Sequence, residues 1–279
     1  MVLSVLSGGL GNQMFQFSIG YRLALKQNST LILDLSELER DNKRTYSLSN
    51  FPVNVRLVKK NILETGWFFK LLNGIPKNWI EIEEKKEFNF DATVLNLKDN
   101  VRLKGYWQNP EYFDSIKEDL FKIFKPINTS SIDRTLLEEI QKNSSISIHI
   151  RRGDYANDYI TNQVHGLLPM SYYQSAIELI ESRTGLDNLE IFVFSDDINW
   201  CKENFKLRSN IRFIENLDAD IELHLMSLCH FNVIANSSFS WWGAYLNQNT
   251  DKLVVAPKQW FNKEIHDTSN LTPKDWIRI

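Results

Sequence analysis

Apolar and polar residues follow one another along this chain in short blocks, and the period of the blocks changes repeatedly. Val2 to Leu6 is an apolar run broken only by Ser4, the length of a buried strand. Gly8-Gly9-Leu10-Gly11 reads as a tight loop. From Asn12 to Gln27 the apolar residues Met14, Phe15, Ile19 and Leu23 recur at helical spacing. Thr30 to Asp34 reads as a second strand. A strand, loop, helix and strand in this order predict an α/β protein.

Residues 40–100 carry a weaker pattern. They hold short extended pieces and the aromatic segment Trp67-Phe68-Phe69-Lys70-Leu71-Leu72. We read that segment as a helix buried in the first domain, with a dip into a membrane surface as the alternative. A strand is predicted at Val101–Tyr106 and a helix at Pro110–Phe124. Lys125 to Ser131, with Pro, Asn, Thr and Ser, is the expected interdomain junction. Beyond it, strands at 145–150, 189–194, 211–214, 231–235 and 252–256 alternate with helices at 133–141, 171–183, 198–205, 221–229 and 238–247. Such alternation predicts mostly parallel sheets covered on both faces. The fold class expected is α/β, with two Rossmann-like domains facing a cleft, over 1–125 and 132–279. The final residues are expected to pack back on the first domain.

Composition narrows the chemistry. Of 279 residues, 43% are hydrophobic and 24% charged, an ordinary globular balance. The net charge of -3, from 32 Lys and Arg against 35 Asp and Glu, argues against nucleic acid as a partner. A phosphate-bearing ligand would need a local concentration of positive charge. Cys201 and Cys229 form no CxxC pair and belong to no zinc-like spacing, so they are expected as buried thiols in a reducing compartment. The N-terminal residues lack the features of a secretory leader, and no stretch is long and apolar enough to span a bilayer. The expectation is a cytoplasmic chain with at most peripheral contact at the inner membrane face.

Four stretches carry chemistry. The glycine loop Gly8-Gly9-Leu10-Gly11-Asn12-Gln13 could bring backbone N–H groups to a phosphate, or could simply be a turn. It fails as a dinucleotide fingerprint, because the third small residue would fall on Met14. In Ser147-Ile148-His149-Ile150-Arg151-Arg152-Gly153-Asp154-Tyr155 an apolar strand ends in His, two Arg and Asp. Alternation puts His149 and Arg151 on one side and Ile148, Ile150 and Arg152 on the other. Strand ends open into the ligand crevice of such sheets, and arginine suits a phosphate. The bland alternative is an Arg152–Asp154 surface ion pair. In Ser195-Asp196-Asp197 one acid is expected to cap the next helix and the other to bind. Asn236-Ser237-Ser238-Phe239-Ser240-Trp241-Trp242-Gly243 places hydroxyls at a helix start, an anion-favouring position. Asp218-Ala219-Asp220 has the spacing of a metal-binding pair, but its place before an apolar helix favours capping, so no metal is expected.

These stretches, with Gly105-Tyr106-Trp107-Gln108, Phe194-Ser195-Asp196-Asp197 and Ala256-Pro257-Lys258-Gln259-Trp260-Phe261, resemble the α-1,2-fucosyltransferase family, glycosyltransferase family 11, in its bacterial form. The resemblance implies a GT-B architecture, with the first domain on the acceptor side and the second binding the donor. It implies inverting transfer of L-fucose from GDP-β-L-fucose to the 2-hydroxyl of a terminal β-galactose, without metal or other cofactor. The acceptor would be a glycan of O-antigen or capsule type, its lipid-linked form left open. Arg151 would meet the donor's β-phosphate, with His149 and Asn12 holding the donor. Ser237, Ser238 and Ser240, beside Asn236, would take phosphate or ribose. Asp196 and Glu222 would take ribose and guanine, and Gly9, Gly11 and Gln13 would belong to the same site. Glu222 stands where the family often has aspartate, and Trp107 where it often has phenylalanine. The general base is open among Asp154, Asp158 and His165.

Overall fold

The computed structural model describes residues 1–59, 65–66, 74–76, 78–98, 100–208, 210–262 and 266–279. The helix expected at 67–72 lies outside them. The chain forms two compact units, Met1–Lys125 with His266–Leu271, and Pro126–Ile265 with Thr272–Ile279.

In the first unit come β1 (Val2–Val5), α1 (Leu10–Lys26), β2 (Leu31–Asp34), β3 (Arg56–Val58), β4 (Ile80–Glu83), β5 (Val101–Lys104) and α2 (Lys117–Ile123). The strands form one parallel sheet in the order β3-β2-β1-β5-β4. Val2, Leu3, Val5, Ile32 and Leu103 are fully or nearly fully buried, as central parallel strands covered on both faces require. Two expectations need correction. Helix α1 starts at Leu10, so Gly11 lies in its first turn and the loop is confined to Gly8-Gly9. The helix expected at 110–124 begins as two 3-10 turns, Pro110–Tyr112 and Asp114–Ile116, and becomes α-helical only in α2. Asn109 caps the first turn by accepting from the Glu111 N–H, and Pro110 at its first position donates nothing.

The second unit holds α3 (Arg134–Ile140), β6 (Ser145–Ile150), α4 (Gly153–Asn157), α5 (Tyr159–His165), α6 (Met170–Thr184), β7 (Glu190–Ser195), α7 (Ile198–Asn204), β8 (Ile211–Phe213), α8 (Ala219–Leu228), β9 (Phe231–Val233), α9 (Ser238–Tyr245), β10 (Val254–Ala256) and β11 (Ile277–Arg278). Its sheet is also parallel, in the order β11-β10-β9-β6-β7-β8. Ile146, Ile148 and Ile150 of β6 pack with Tyr173, Ile177, Val193 and Cys201 on one face. Both cysteines are free and buried, and behave as small apolar groups. Of the final residues, 266–271 lie with the first unit, whereas β11 is an edge strand of the second sheet.

The second sheet winds outward from its middle in both directions, with the reversal between β6 and β9, whereas in the first the chain winds outward from β1 to β3, crosses to the far edge at β4 and returns beside β1 at β5. At such a reversal the loops leaving the strand ends part and open a crevice. The loops after β6 and β9 are the Arg151 and Asn236 stretches, and those after β1 and β5 are the Gly8 and Gly105 stretches. Topology therefore brings the Arg151 and Asn236 stretches together at the switch point of the second sheet and sets the Gly8 and Gly105 stretches at neighbouring strand ends of the first.

Candidate active site

At the C-terminal end of β6 the Arg151 guanidinium is held between two carboxylates. Its Nη2 lies 2.5 Å from Asp154 Oδ1 and its Nη1 2.5 Å from Asp196 Oδ2. Asp196 also accepts from the Arg152 N–H at 2.8 Å through its other oxygen. A guanidinium has five N–H donors, and these contacts leave some to offer a further anion. Asp154 thus pairs with Arg151, not with Arg152 as the bland reading had it. Arg152 points to the other side of the strand, where its Nε donates to Asp197 at 3.1 Å and its plane covers Trp200 at 3.6 Å. Asp197 caps α7 through the Trp200 N–H, so the two acids divide their work.

His149 is 3% exposed, and its ring meets Phe239 at 5.5 Å. Burial drives its pKa down to about 4; the Asp196 charge opposes this and Arg151 adds to it. The imidazole is neutral at neutral pH, and its Nδ1 has no hydrogen-bond partner among the described residues. Glu222, in the first turn of α8, is pushed up to about 7, first by burial and then by the charge of Asp196. His149, Arg151, Asp196 and Glu222 therefore share one electrostatic neighbourhood.

The Asn236–Gly243 run is largely structural. Asn236 is buried, and its Nδ2 donates to the carbonyls of His165 and Trp260. Ser237 caps α9 by accepting from the Phe239 N–H. Ser240 is buried, with its hydroxyl against the carbonyls of Ala235 and Ser237. Trp241 and Trp242 are core residues, and a β-carbon on Gly243 would come within 2.9 Å of Met226, so glycine lets α9 approach α8 closely. In this geometry the Asn236 amide and the Ser240 hydroxyl are engaged with neighbouring carbonyls. Ser238 and Phe239 are the half-exposed members of the run.

In the first unit, Gln13 is wholly buried. Its Nε2 donates to the carbonyls of Gly8 and Thr45 and its Oε1 accepts from the Ser47 N–H, so it clamps the loop instead of facing a ligand. Gly11 is likewise buried inside α1. Gly9 occupies the N-cap of α1, which has no side-chain cap. Asn12 accepts from Gln108 at 2.8 Å, and Gln16 links Ser7 to the Gly105 carbonyl. Gly8 takes a φ of +72°, and a β-carbon there would lie 2.5 Å from Asn12 Nδ2. Sequence reasoning missed Glu84, whose Oε2 accepts from the N–H groups of Tyr106 and Trp107 and so shapes the Gly105 loop.

The remaining candidates fall into place locally. Asp158 caps α5 through the Thr161 N–H. His165 stacks on Tyr155, and burial lowers its pKa. Asp218 is the N-cap of α8 without a side-chain capping bond, which corrects that part of the expectation, and Asp220 is buried in the first turn. No group of three His, Cys, Asp or Glu suited to a metal occurs among the described residues. No described helix is long and apolar enough to cross a membrane.

A parallel α/β crevice with an arginine at its switch point is the frame of many nucleotide-dependent enzymes. The comparisons make this specific: residues 4–279 match Glycosyl transferase family 11, and the chain belongs to that family. It is 36% identical to an alpha-1,2-colitosyltransferase of Escherichia coli, over 100% of this chain and 99% of that one. It is 34% identical to the O-antigen biosynthesis glycosyltransferase WbnK of the same organism, over 99% of both. A galactoside 2-alpha-L-fucosyltransferase of Caenorhabditis elegans is 25% identical over 55% of this chain and 44% of its own. Among solved structures, the NodZ alpha-1,6-fucosyltransferase soaked with GDP-fucose aligns at a TM-score of 0.48 and 14% identity, over 88% of this chain and 91% of that one.

Proposed function

We propose that this glycosyltransferase moves L-fucose from GDP-β-L-fucose to the 2-hydroxyl of a terminal β-galactose, with inversion and without a metal, in synthesis of an O-antigen or capsule type glycan. The observation that carries the reading is Arg151, fixed by Asp154 and Asp196 at the switch point of the second sheet. A preformed cation gives most where charge develops in the transition state, here at the β-phosphate of the departing diphosphate. His149 lines the same place as a neutral group. In this reading Asp196 and Glu222 take ribose and guanine, and Ser237 and Ser238 take phosphate or ribose. Gly9 and Asn12, at the uncapped start of α1, remain proposed donor contacts. Asp154 acts through Arg151, and Asp158 is engaged as a cap, so leaving-group stabilisation carries more of the barrier than a strong base.

The names of the relatives bear on the donor. The more distant relatives are named as galactoside 2-alpha-L-fucosyltransferases, and one at 36% identity as an alpha-1,2-colitosyltransferase. A colitose donor is therefore the second reading. The test is turnover with each GDP-sugar and lactose, with the product linkage read by NMR. A Fucα1-2Gal product supports the first reading, and selective use of the colitose donor replaces it with the second. Tight GDP binding without transfer to lactose would discard this acceptor.

A further inference from the structure

Beside Arg151 three rings stand in a row. The guanidinium carbon lies 5.1 Å from the centroid of Tyr155. Tyr155 stacks almost flat on His165, with centroids 4.5 Å apart and planes 8° apart. The His165 ring in turn meets Phe261 at 5.2 Å and 40°. The two carboxylates fix the hydrogen-bonding edge of Arg151, and the Tyr155 ring stands against the guanidinium as a third support.

The row is tied together by amide side chains. Tyr155 Oη donates to the Asn236 carbonyl at 3.3 Å, and Asn236 Nδ2 donates to the His165 and Trp260 carbonyls at 2.9 and 3.2 Å. Asn162 Nδ2 donates to the Tyr155 carbonyl at 2.6 Å, and Asn262 Nδ2 donates to the Asn162 carbonyl at 2.7 Å. The Asn262 N–H reaches the Val164 carbonyl at 2.8 Å. Gly166 has a φ of +67°, and a β-carbon on it would overlap the Asn262 side chain. The Trp260-Phe261 end of the family-like stretch, and the asparagine next to it, thus hold the ring row in place.

We propose that Tyr155, His165 and Phe261 form a column that sets the position of Arg151 at the donor diphosphate, so that His165 and Phe261 are positioning residues and His165 transfers no proton. The proposal rests on the reading of Arg151 given above. The rings of Tyr155 and Phe261 pack against His165, and its Nδ1 is buried with no partner among the described residues, so packing is the role its geometry shows. Its lowered basicity has the same cause, burial.

The experiment measures GDP binding by calorimetry, and turnover of GDP-fucose with lactose, for the wild type, His165→Phe, His165→Ala and Phe261→Ala. Phenylalanine keeps the ring and removes the nitrogen, so His165→Phe should stay within about threefold of wild-type kcat. The two alanine variants should lose roughly 10- to 100-fold in kcat with little change in donor KM, the scale of a small misplacement in a preorganised site. If an alanine variant does not fold, Phe261→Leu, which keeps bulk without a ring, takes its place with the same expected loss. Equal loss in His165→Phe and His165→Ala would make His165 a proton-transfer group and overturn the proposal, as would wild-type kcat in Phe261→Ala. A wild type that binds no GDP would instead remove the donor reading itself.

Discussion

Gly153 and Asp196 stand so close that a β-carbon on Gly153 would overlap the Asp196 carboxylate. The backbone at Gly153 does not take a positive φ, so the contact and not the conformation demands glycine. Asp196 could swing away from an added methyl, but only by releasing both Arg151 and the Arg152 N–H. Gly153→Ala should therefore lower kcat/KM by about 10- to 100-fold through a displaced Arg151 partner. Steady-state kinetics beside a melting curve checks this. Wild-type kcat/KM in a folded Gly153→Ala enzyme would show that Asp196 does not position Arg151.

Arg151 bridges two carboxylates, Asp154 in α4 and Asp196 after β7, with two separate nitrogens of its planar fork. Arg151→Ala should nearly abolish transfer and leave the far-ultraviolet circular dichroism unchanged. Arg151→Lys should recover only a small part, because a single nitrogen cannot occupy the Nη1 and Nη2 positions that meet Asp196 and Asp154. Turnover of the lysine enzyme near that of the wild type would mean that charge alone is sufficient.

The central elements of both sheets were legible in the sequence because burial on both faces writes apolar runs. The strand predicted at 145–150 is β6 to the residue. The edge strands β3, β4 and β11 were missed for the converse reason: their residues are largely half-buried or exposed, so no such run marks them. At the site, Arg151 and Asp196 were legible as charged residues ending apolar strands. The tasks of Asn236, Ser240 and Gln13 were not. An amide or hydroxyl that binds a ligand and one that ties two loops look alike until the partner carbonyls are known. Nor does sequence separation announce that Phe261 stands behind His165, close to 100 residues away.

Glu222 gives a pH signature. Its carboxyl is raised from the ordinary 4.5 to about 7, chiefly by burial and next by Asp196. The fold thus favours the protonated form. The wild type should lose stability as pH rises from about 4.5 through about 7, with the penalty complete above that. Glu222→Gln is neutral throughout and escapes this change. Melting temperatures of the two proteins between pH 4.5 and 8 should diverge with rising pH and then run parallel. A difference that is constant with pH would mean that Glu222 titrates normally.

A buried charge network crosses the first sheet. Arg102 of β5, 4% exposed, reaches past β1 to the fully buried Asp34 of β2 at 3.2 Å and also pairs with Glu81 of β4. Arg102→Ala would leave the Asp34 charge buried and unpaired, a loss of about 3–5 kcal/mol. Arg102→Leu combined with Asp34→Leu should recover most of it, because apolar replacement of a buried pair is often neutral. Urea denaturation measures both, and a loss below about 1 kcal/mol for Arg102→Ala would contradict the argument.

Metal dependence turns on Asp218 and Asp220. Asp218 opens α8 and Asp220 is buried in its first turn, where a carboxylate complements the helix dipole and contributes to stability. Arg151 offers the positive charge that a metal would otherwise bring to a diphosphate. Turnover should therefore stay within about twofold when EDTA is added. Asp220→Asn should lower the melting temperature more than it lowers kcat. The opposite pattern, activity lost in EDTA and restored by manganese with Asp220→Asn inactive yet stable, would transfer the charge-stabilising role from Arg151 to a metal at Asp218 and Asp220.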